Sequence, residues 1–258
     1  MITAIIPSRF GSTRFYGKPL AFLAGKCMIQ RVYEQAKKNS AVEQVVLTTD
    51  DQRIADAAES FGCQAVMTSS DIRSGTDRVA KASELIHLSP DDIVINIQGD
   101  QPIFNPECLD ELTAPLLAHP GLGMSTLAFK IKNKREITDP KDVKVTFDKN
   151  GFALYFSRSQ IPFPRDKKTK TDFYKHLGFY AYRKRFLDKI ACLDTGALEN
   201  TEKLEQLRVL ENGYKIKVII TEHDSPEVDL PEDIARIEKI ISEKKLSLNQ
   251  QTYQPLSE

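Results

Sequence analysis

Apolar residues along the chain fall into short runs, and the polar stretches between them carry helical periodicity. The first run, MITAIIP (1–7), is rich in β-branched residues and ended by proline, which predicts a strand. QVVLTT (44–49), residues 64–67 and DIVINI (92–97) predict three further buried strands. Between them, residues 26–40 place Ile29, Val32, Tyr33 and Ala36 on one helical face. Asp50 is placed to cap a second helix whose Ile54, Ala57 and Ala58 face inward, and a third helix is predicted over 74–87. Strand–helix alternation of this kind predicts a parallel sheet covered by helices on both faces.

After about residue 120 the rhythm changes. MSTLAF, VKVTF, ALYF and HLGFYAY follow one another with few helices between them and predict a mixed or antiparallel extension. A helix over 199–211, a strand over 216–220 and a helix over 231–244 close the pattern. The expected organisation is one α/β domain over 1–245, with a smaller mixed or antiparallel lobe inserted at roughly 125–215. A polar tail follows over 246–258.

Composition narrows the class. The 258 residues include 36 Lys plus Arg and 36 Asp plus Glu, a formal net charge of zero, which argues against a general nucleic-acid binder. With 41% hydrophobic and 28% charged residues the chain reads as globular rather than disordered. No apolar run approaches the roughly 20 residues of a membrane span. The opening run is too short and uncharged for a signal peptide, so the expectation is a cytoplasmic protein. Cys27, Cys63, Cys108 and Cys192 are too far apart for a CxxC motif and read as reduced thiols.

Open parallel sheets bind ligands at the carboxyl ends of their strands. Three segments fall there. The loop after the first strand holds Arg9, Arg14 and Lys18 among Gly11 and Gly17, cations and backbone amides suited to a polyphosphate; it matches neither the Walker A nor the GxGxxG spacing. In RSGTDR (73–78), Ser74 and Asp77 form a capping box, while Arg73 and Arg78 bracket a helix N-terminus that attracts anions. In NIQGDQP (96–102), Asp100 stands directly past a buried strand, as a turn residue or as a ligand of Mg²⁺. Asp229, in EVDLPEDI, reads either as a second such carboxylate or as a helix N-cap with Glu232 three positions on. His176 reads as a base or as a structural histidine.

Taken in order, IIPSRFGSTRFYGKPL, SGTDR, NIQGDQP, ALYFSRSQIPFPRD, KHLGFYAYR, LEQLRVLENG and EVDLPEDI resemble the CMP-KDO synthetases, the 3-deoxy-manno-octulosonate cytidylyltransferases, from Ile2 to about Ile240. The resemblance implies a Rossmann-like nucleotidyltransferase fold, usually a homodimer. It implies a reaction in which CTP and KDO give CMP-KDO and pyrophosphate with Mg²⁺, for lipopolysaccharide synthesis. On this resemblance Arg9, Arg14 and Lys18 lie in the loop that holds the triphosphate. Ser74, Gly75, Thr76 and Arg78 form the nucleotide-side turn, and Gln98 contacts the ligands. Asp100 and Asp229 match the metal carboxylates. Arg158, His176, Tyr180, Glu205 and Gln206 match the sugar-acid pocket. The chain departs from the pattern at Phe15-Tyr16 (usually Leu-Pro), Gln101 (usually Glu) and Phe163 (usually Trp). No introduced carboxylate marks an amine site, yet the departures keep an 8-amino-8-deoxy variant of KDO open as the sugar. Other readings are a different sugar or sialic-acid nucleotidyltransferase, and a nucleotide-binding module without turnover.

Overall fold

The computed structural model describes residues 1–11, 14–72, 74–166, 168 and 170–251, of which 244–251 are described as backbone. Arg73 and positions 252–258 of the expected tail lie outside the described residues.

β1 (Ile2–Ser8) is buried on both faces: Ala4 and Ile6 pack into one core cluster and Ile5 into another. This is why its apolar run is continuous rather than alternating. After a short 3₁₀ turn (Lys18–Leu20) and the small ribbon of β2 (Phe22–Leu23) and β3 (Lys26–Cys27), α1 (Met28–Ala36) returns the chain to β4 (Gln44–Thr49). α2 (Gln52–Ser60), β5 (Gln64–Met67), α3 (Gly75–Leu85) and β6 (Ile93–Asn96) follow. Then come α4 (Glu107–Ala118), β7 (Met124–Lys130), α5 (Lys134–Thr138), β8 (Lys144–Phe147), β9 (Ala153–Ser157) and β10 (Tyr174–Arg183). The chain continues through α6 (Lys184–Ala191), α7 (Ala197–Glu202), α8 (Leu207–Glu211), β11 (Lys217–Thr221) and α9 (Asp233–Gln251).

The sheet order is β11-β7-β10-β6-β1-β4-β5, with the β8–β9 hairpin hydrogen-bonded to β10. All strands of the main path run one way except β10, which is antiparallel to both β6 and β7. One face is covered by α1 and α4, through Val32, Ala36, Leu109 and Leu112. The other is covered by α3 and α6, through Val79, Ala82 and Leu187. From β1 the chain first winds outward to β4 and β5, then crosses back to β6 on the other side. That reversal makes the carboxyl ends of β1 and β6 the switch point where a ligand crevice opens.

Several expectations are corrected. The antiparallel part is continuous with the central sheet, because β7 and β10 are central strands and only β8–β9 lies off the main path. The helix expected over 199–211 is two helices, broken where Lys203 takes a left-handed conformation. α2 is capped by Asp51, whose carboxylate accepts from Arg53 N; Asp50 instead pairs with Arg78. The last helix continues to Gln251, six residues into the expected tail. α4, α5 and α6 were not anticipated; α4 carries Pro115 in its interior, which breaks the usual helical signature. The four cysteines are free, and burial pushes the thiols of Cys63 and Cys108 up to about 12 and about 11.

Candidate functional site

At the switch point the 3₁₀ turn after β1, the loop after β6 and the segment before α9 meet. Lys18 Nζ lies 2.7 Å from Asp100 Oδ2 and 3.6 Å from Asp229 Oδ1, and donates to the Val228 carbonyl at 2.9 Å. Arg14 reaches the other oxygen of Asp229 at 3.1 Å. Residues separated by 82 and 211 positions in the chain are thus gathered on one ammonium. Val228 N donates to the Asp100 carbonyl at 3.0 Å, which stitches the two acidic segments together. Gly99 makes this approach possible: a Cβ there would stand 2.8 Å from Ser8 Oγ and 3.2 Å from the Pro7 carbonyl. Asp229 is therefore not a helix cap. Asp233, the first residue of α9, accepts from Asp229 N and Leu230 N and so fixes the turn that leads into the helix.

Arg9, on the same loop, donates to the carbonyls of Ile72 and Ser74 and so ties the loop to the start of α3. Ser74 caps α3 by accepting from Asp77 N at 3.0 Å. The anion expected at this helix N-terminus is supplied by the chain itself. Glu205 accepts from Gly75 N (3.1 Å), Thr76 N (3.0 Å) and Thr76 Oγ1 (2.6 Å). Glu205 is thus a cap rather than a free pocket group. Arg78 is fully buried, 2.7 Å from Asp50 and 2.6 Å from Thr68 Oγ1.

A family model described as cytidylyltransferase matches residues 3–217. The chain belongs to the cytidylyltransferase family. It is 59% identical over 243 residues to a 3-deoxy-manno-octulosonate cytidylyltransferase of Desulfatibacillum aliphaticivorans, covering 94% of this chain and 99% of that one. It is 53% identical to an 8-amino-3,8-dideoxy-manno-octulosonate cytidylyltransferase of Shewanella frigidimarina, over 92% of this chain and 97% of that one. It superimposes with a TM-score of 0.88, at 37% identity, on CMP:2-keto-3-deoxy-manno-octonic acid synthetase complexed with CTP, covering 94% and 99% of the two chains.

In this cytidylyltransferase β10 forms the second wall of the crevice. Its pairing with β7 shifts register between His176 and Tyr180, around Gly178 at φ +73°. The bulge turns both side chains to one side, with ring centroids 5.2 Å apart. His176 Nε2 lies 2.8 Å from Thr126 Oγ1, whose single proton is committed to the Phe179 carbonyl at 2.6 Å. The network therefore assigns the histidine proton to Nε2 and leaves Nδ1 as an acceptor. The protein packed around it depresses its pKa to about 3, so the ring is neutral and a poor base. Burial pushes the Tyr180 hydroxyl well above its usual value. Gln98 donates to Asn96 at 3.3 Å on the adjacent strand end. Gln206 is buried with its Nε2 unpartnered among the described residues. Arg158 is held on the hairpin side, donating to the carbonyls of Glu202 (2.8 Å) and Pro140 (3.0 Å).

Two features escaped the sequence reading. Thr126, which fixes the histidine tautomer, sits in an ordinary apolar strand and carries no motif. Glu227 stands beside the two aspartates, with Gln101 Nε2 donating to it at 3.0 Å. Surrounding protein, together with Asp100 and Asp229, raises its pKa to about 8. The i, i+2 spacing of Glu227 and Asp229 on an extended segment was the available signal. The departures find places as well: Tyr16 packs edge-on against Phe10, which also carries Arg53, while Phe163 is 81% exposed.

Proposed function

We propose that this enzyme couples CTP to a 3-deoxy-manno-octulosonate-type sugar acid, giving the CMP-sugar and pyrophosphate. The observation that carries the reading is the convergence of Asp100, Asp229 and Lys18 at the switch point. It occurs in a chain 59% identical to a protein of that name. Asp100 and Asp229 would hold Mg²⁺. Both offer hard carboxylate oxygens to one cation position, the donor set this ion takes when substrate phosphates and water complete its shell. Among the described residues no cluster of three or more metal-binding side chains occurs, so the protein would supply a minority of the ligands. When bound, the ion supplies charge that neutralises the phosphates and acidifies the attacking sugar hydroxyl.

The chain's own groups do the rest. The anomeric hydroxyl attacks the α-phosphorus of CTP as the bond to the pyrophosphate oxygen breaks, and the hydroxyl proton passes to solvent. Lys18 and Arg14, released from the carboxylates, neutralise the departing pyrophosphate. Arg9 holds the loop against α3 rather than contributing a free charge. Neutral His176 accepts from a sugar hydroxyl at Nδ1, and Tyr180 shapes the same wall. The reading also makes the product a donor for lipopolysaccharide assembly and the enzyme a cytoplasmic homodimer. Leu154 and Phe163, 63% and 81% exposed near the hairpin, support a partner surface. Among the described residues no helix is long and apolar enough to cross a membrane.

A second sugar is favoured by one observation. Glu227 places a carboxyl group in the crevice that the sequence did not mark; its raised pKa keeps it protonated when unpaired, and an ammonium-bearing sugar would draw it into the ionised form and pair with it. Pyrophosphate release measured with each nucleoside triphosphate, crossed with KDO and its 8-amino analogue, tests both readings. CTP with either sugar should give turnover and a CMP-sugar. Tight CTP binding without pyrophosphate release from any pair would overturn the enzyme reading.

A further inference from the structure

At the opposite end of the strands from the crevice lies a cavity of about 850 Å³ that the reaction does not use. Its place follows from register. Arg183 pairs with Ile93, the first residue of β6, whereas the catalytic carboxylate Asp100 follows the last. The other lining residues come from the end of α4, the turn before β7, the turn between β8 and β9, α6, and the segment leading into β11.

The lining is chemically one-sided. Phe186 and Tyr214 pack edge to face with centroids 5.6 Å apart, and Phe152 forms a further wall. Cations stand over these rings: Lys189 at 4.4 Å from the Tyr214 centroid, Lys215 and Lys217 at 5.1 and 5.2 Å from that of Phe152. No lining residue is acidic. Arg185 is neutralised by Asp91, but Arg183, Lys189, Lys215 and Lys217 have no carboxylate partner among the described residues.

Arg183 is the decisive group. It is only 8% exposed, its terminal nitrogens reach the carbonyls of Asp91 and Leu116, and its Nε is buried without a partner. A buried guanidinium is ordinarily matched by a carboxylate or phosphate, because removing its hydration is costly. Here the folded chain supplies two carbonyl dipoles and leaves the charge uncompensated.

We propose that this cavity is a second binding site, for an organic anion with a flat apolar body: the rings take the body and the lysines and Arg183 take the charge. Its size is within the range of small-molecule sites. Nucleoside monophosphates and aryl carboxylates share this chemistry.

The test uses the intact enzyme with CTP and magnesium present to fill the crevice. Two fluorescent probes are compared, 8-anilinonaphthalene-1-sulfonate and its uncharged relative N-phenyl-1-naphthylamine. The sulfonate should bind at one site per chain at least about tenfold tighter than the neutral probe, and CMP and benzoate, added separately as competitors, distinguish the two sources. Lys189→Glu/Lys215→Glu, at two exposed positions, should weaken the sulfonate at least about tenfold and leave pyrophosphate release unchanged. Lys37→Glu/Lys38→Glu, past the end of α1, should leave binding within about twofold. Absence of sulfonate binding, equal affinity for the two probes, or an affinity unmoved by the Lys189/Lys215 reversal would overturn the proposal.

Discussion

On the β1–β6 side of the crevice, Lys18, Arg14, Asp100 and Asp229 form a mesh of opposite charges that remain solvent-accessible. On the β10 side, His176 and Tyr180 are held neutral by the protein around them and fixed by Thr126 and the bulge at Gly178. The contrast suits the two halves of the proposed reaction. A triphosphate changes its charge distribution as it reacts, so the groups beside it must be charged and able to exchange partners. A sugar must be oriented by hydrogen bonds whose geometry does not relax, so the groups beside it are best kept uncharged and preorganised.

The comparison can be broken from either side. The largest effect belongs to the charged mesh. Asp100→Asn or Asp229→Asn should slow pyrophosphate release at least about 100-fold, equivalent to ~2.7 kcal/mol, with the melting temperature nearly unchanged. Retention of more than about a tenth of the wild-type rate by both variants would remove them from the reaction. On the neutral side, Thr126→Val takes away the acceptor for His176 Nε2–H. An unpaired donor costs about 1–3 kcal/mol, so the sugar KM should rise roughly tenfold in steady-state assays while the CTP KM stays put.

A smaller effect is expected at α3. Glu205→Gln keeps the shape of the cap but removes its charge from the helix N-terminus. A loss of about 1 kcal/mol in urea unfolding should accompany a modest change in turnover. The last is a pH effect. Because the folded pKa of His176, about 3, lies below the ordinary 6.5, the unfolded chain binds the extra proton. The stability contributed by the neutral ring is complete above pH 6.5 and is lost progressively as pH falls toward 3. His176→Gln should flatten that part of the stability–pH curve; an unchanged slope would mean the ring is charged in the fold.

The alternating half of the fold was legible because β1, β4 and β6 are buried on both faces and their apolar runs admit no other reading. The cation loop and Asp100 were legible for a related reason: each follows such a strand, where an open sheet binds ligands, whereas Asp229 was legible only through the resemblance of EVDLPEDI. What sequence could not show was which charges find partners inside the chain. Arg78 and Glu205 have the residue types of ligand contacts, but Asp50 and the α3 amides claim them first, over separations of 28 and about 130 positions. Thr126 and Gln101 each join a backbone carbonyl to one side chain, His176 and Glu227, and such isolated hydrogen bonds leave no periodic or compositional trace. β10 was visible as a strand of a mixed or antiparallel extension, but not as a central strand lying between β6 and β7.

The division of labour between the two walls is tested most directly by Lys18→Met, with pyrophosphate release followed at saturating CTP as the sugar concentration is varied. Lys18 bridges both carboxylates yet touches nothing on the β10 wall. The expected result is a fall in kcat of about 100-fold or more with the sugar KM within about threefold of wild type. A normal kcat with a sugar KM raised tenfold or more would contradict it, placing Lys18 on the sugar and the charged mesh outside the chemistry.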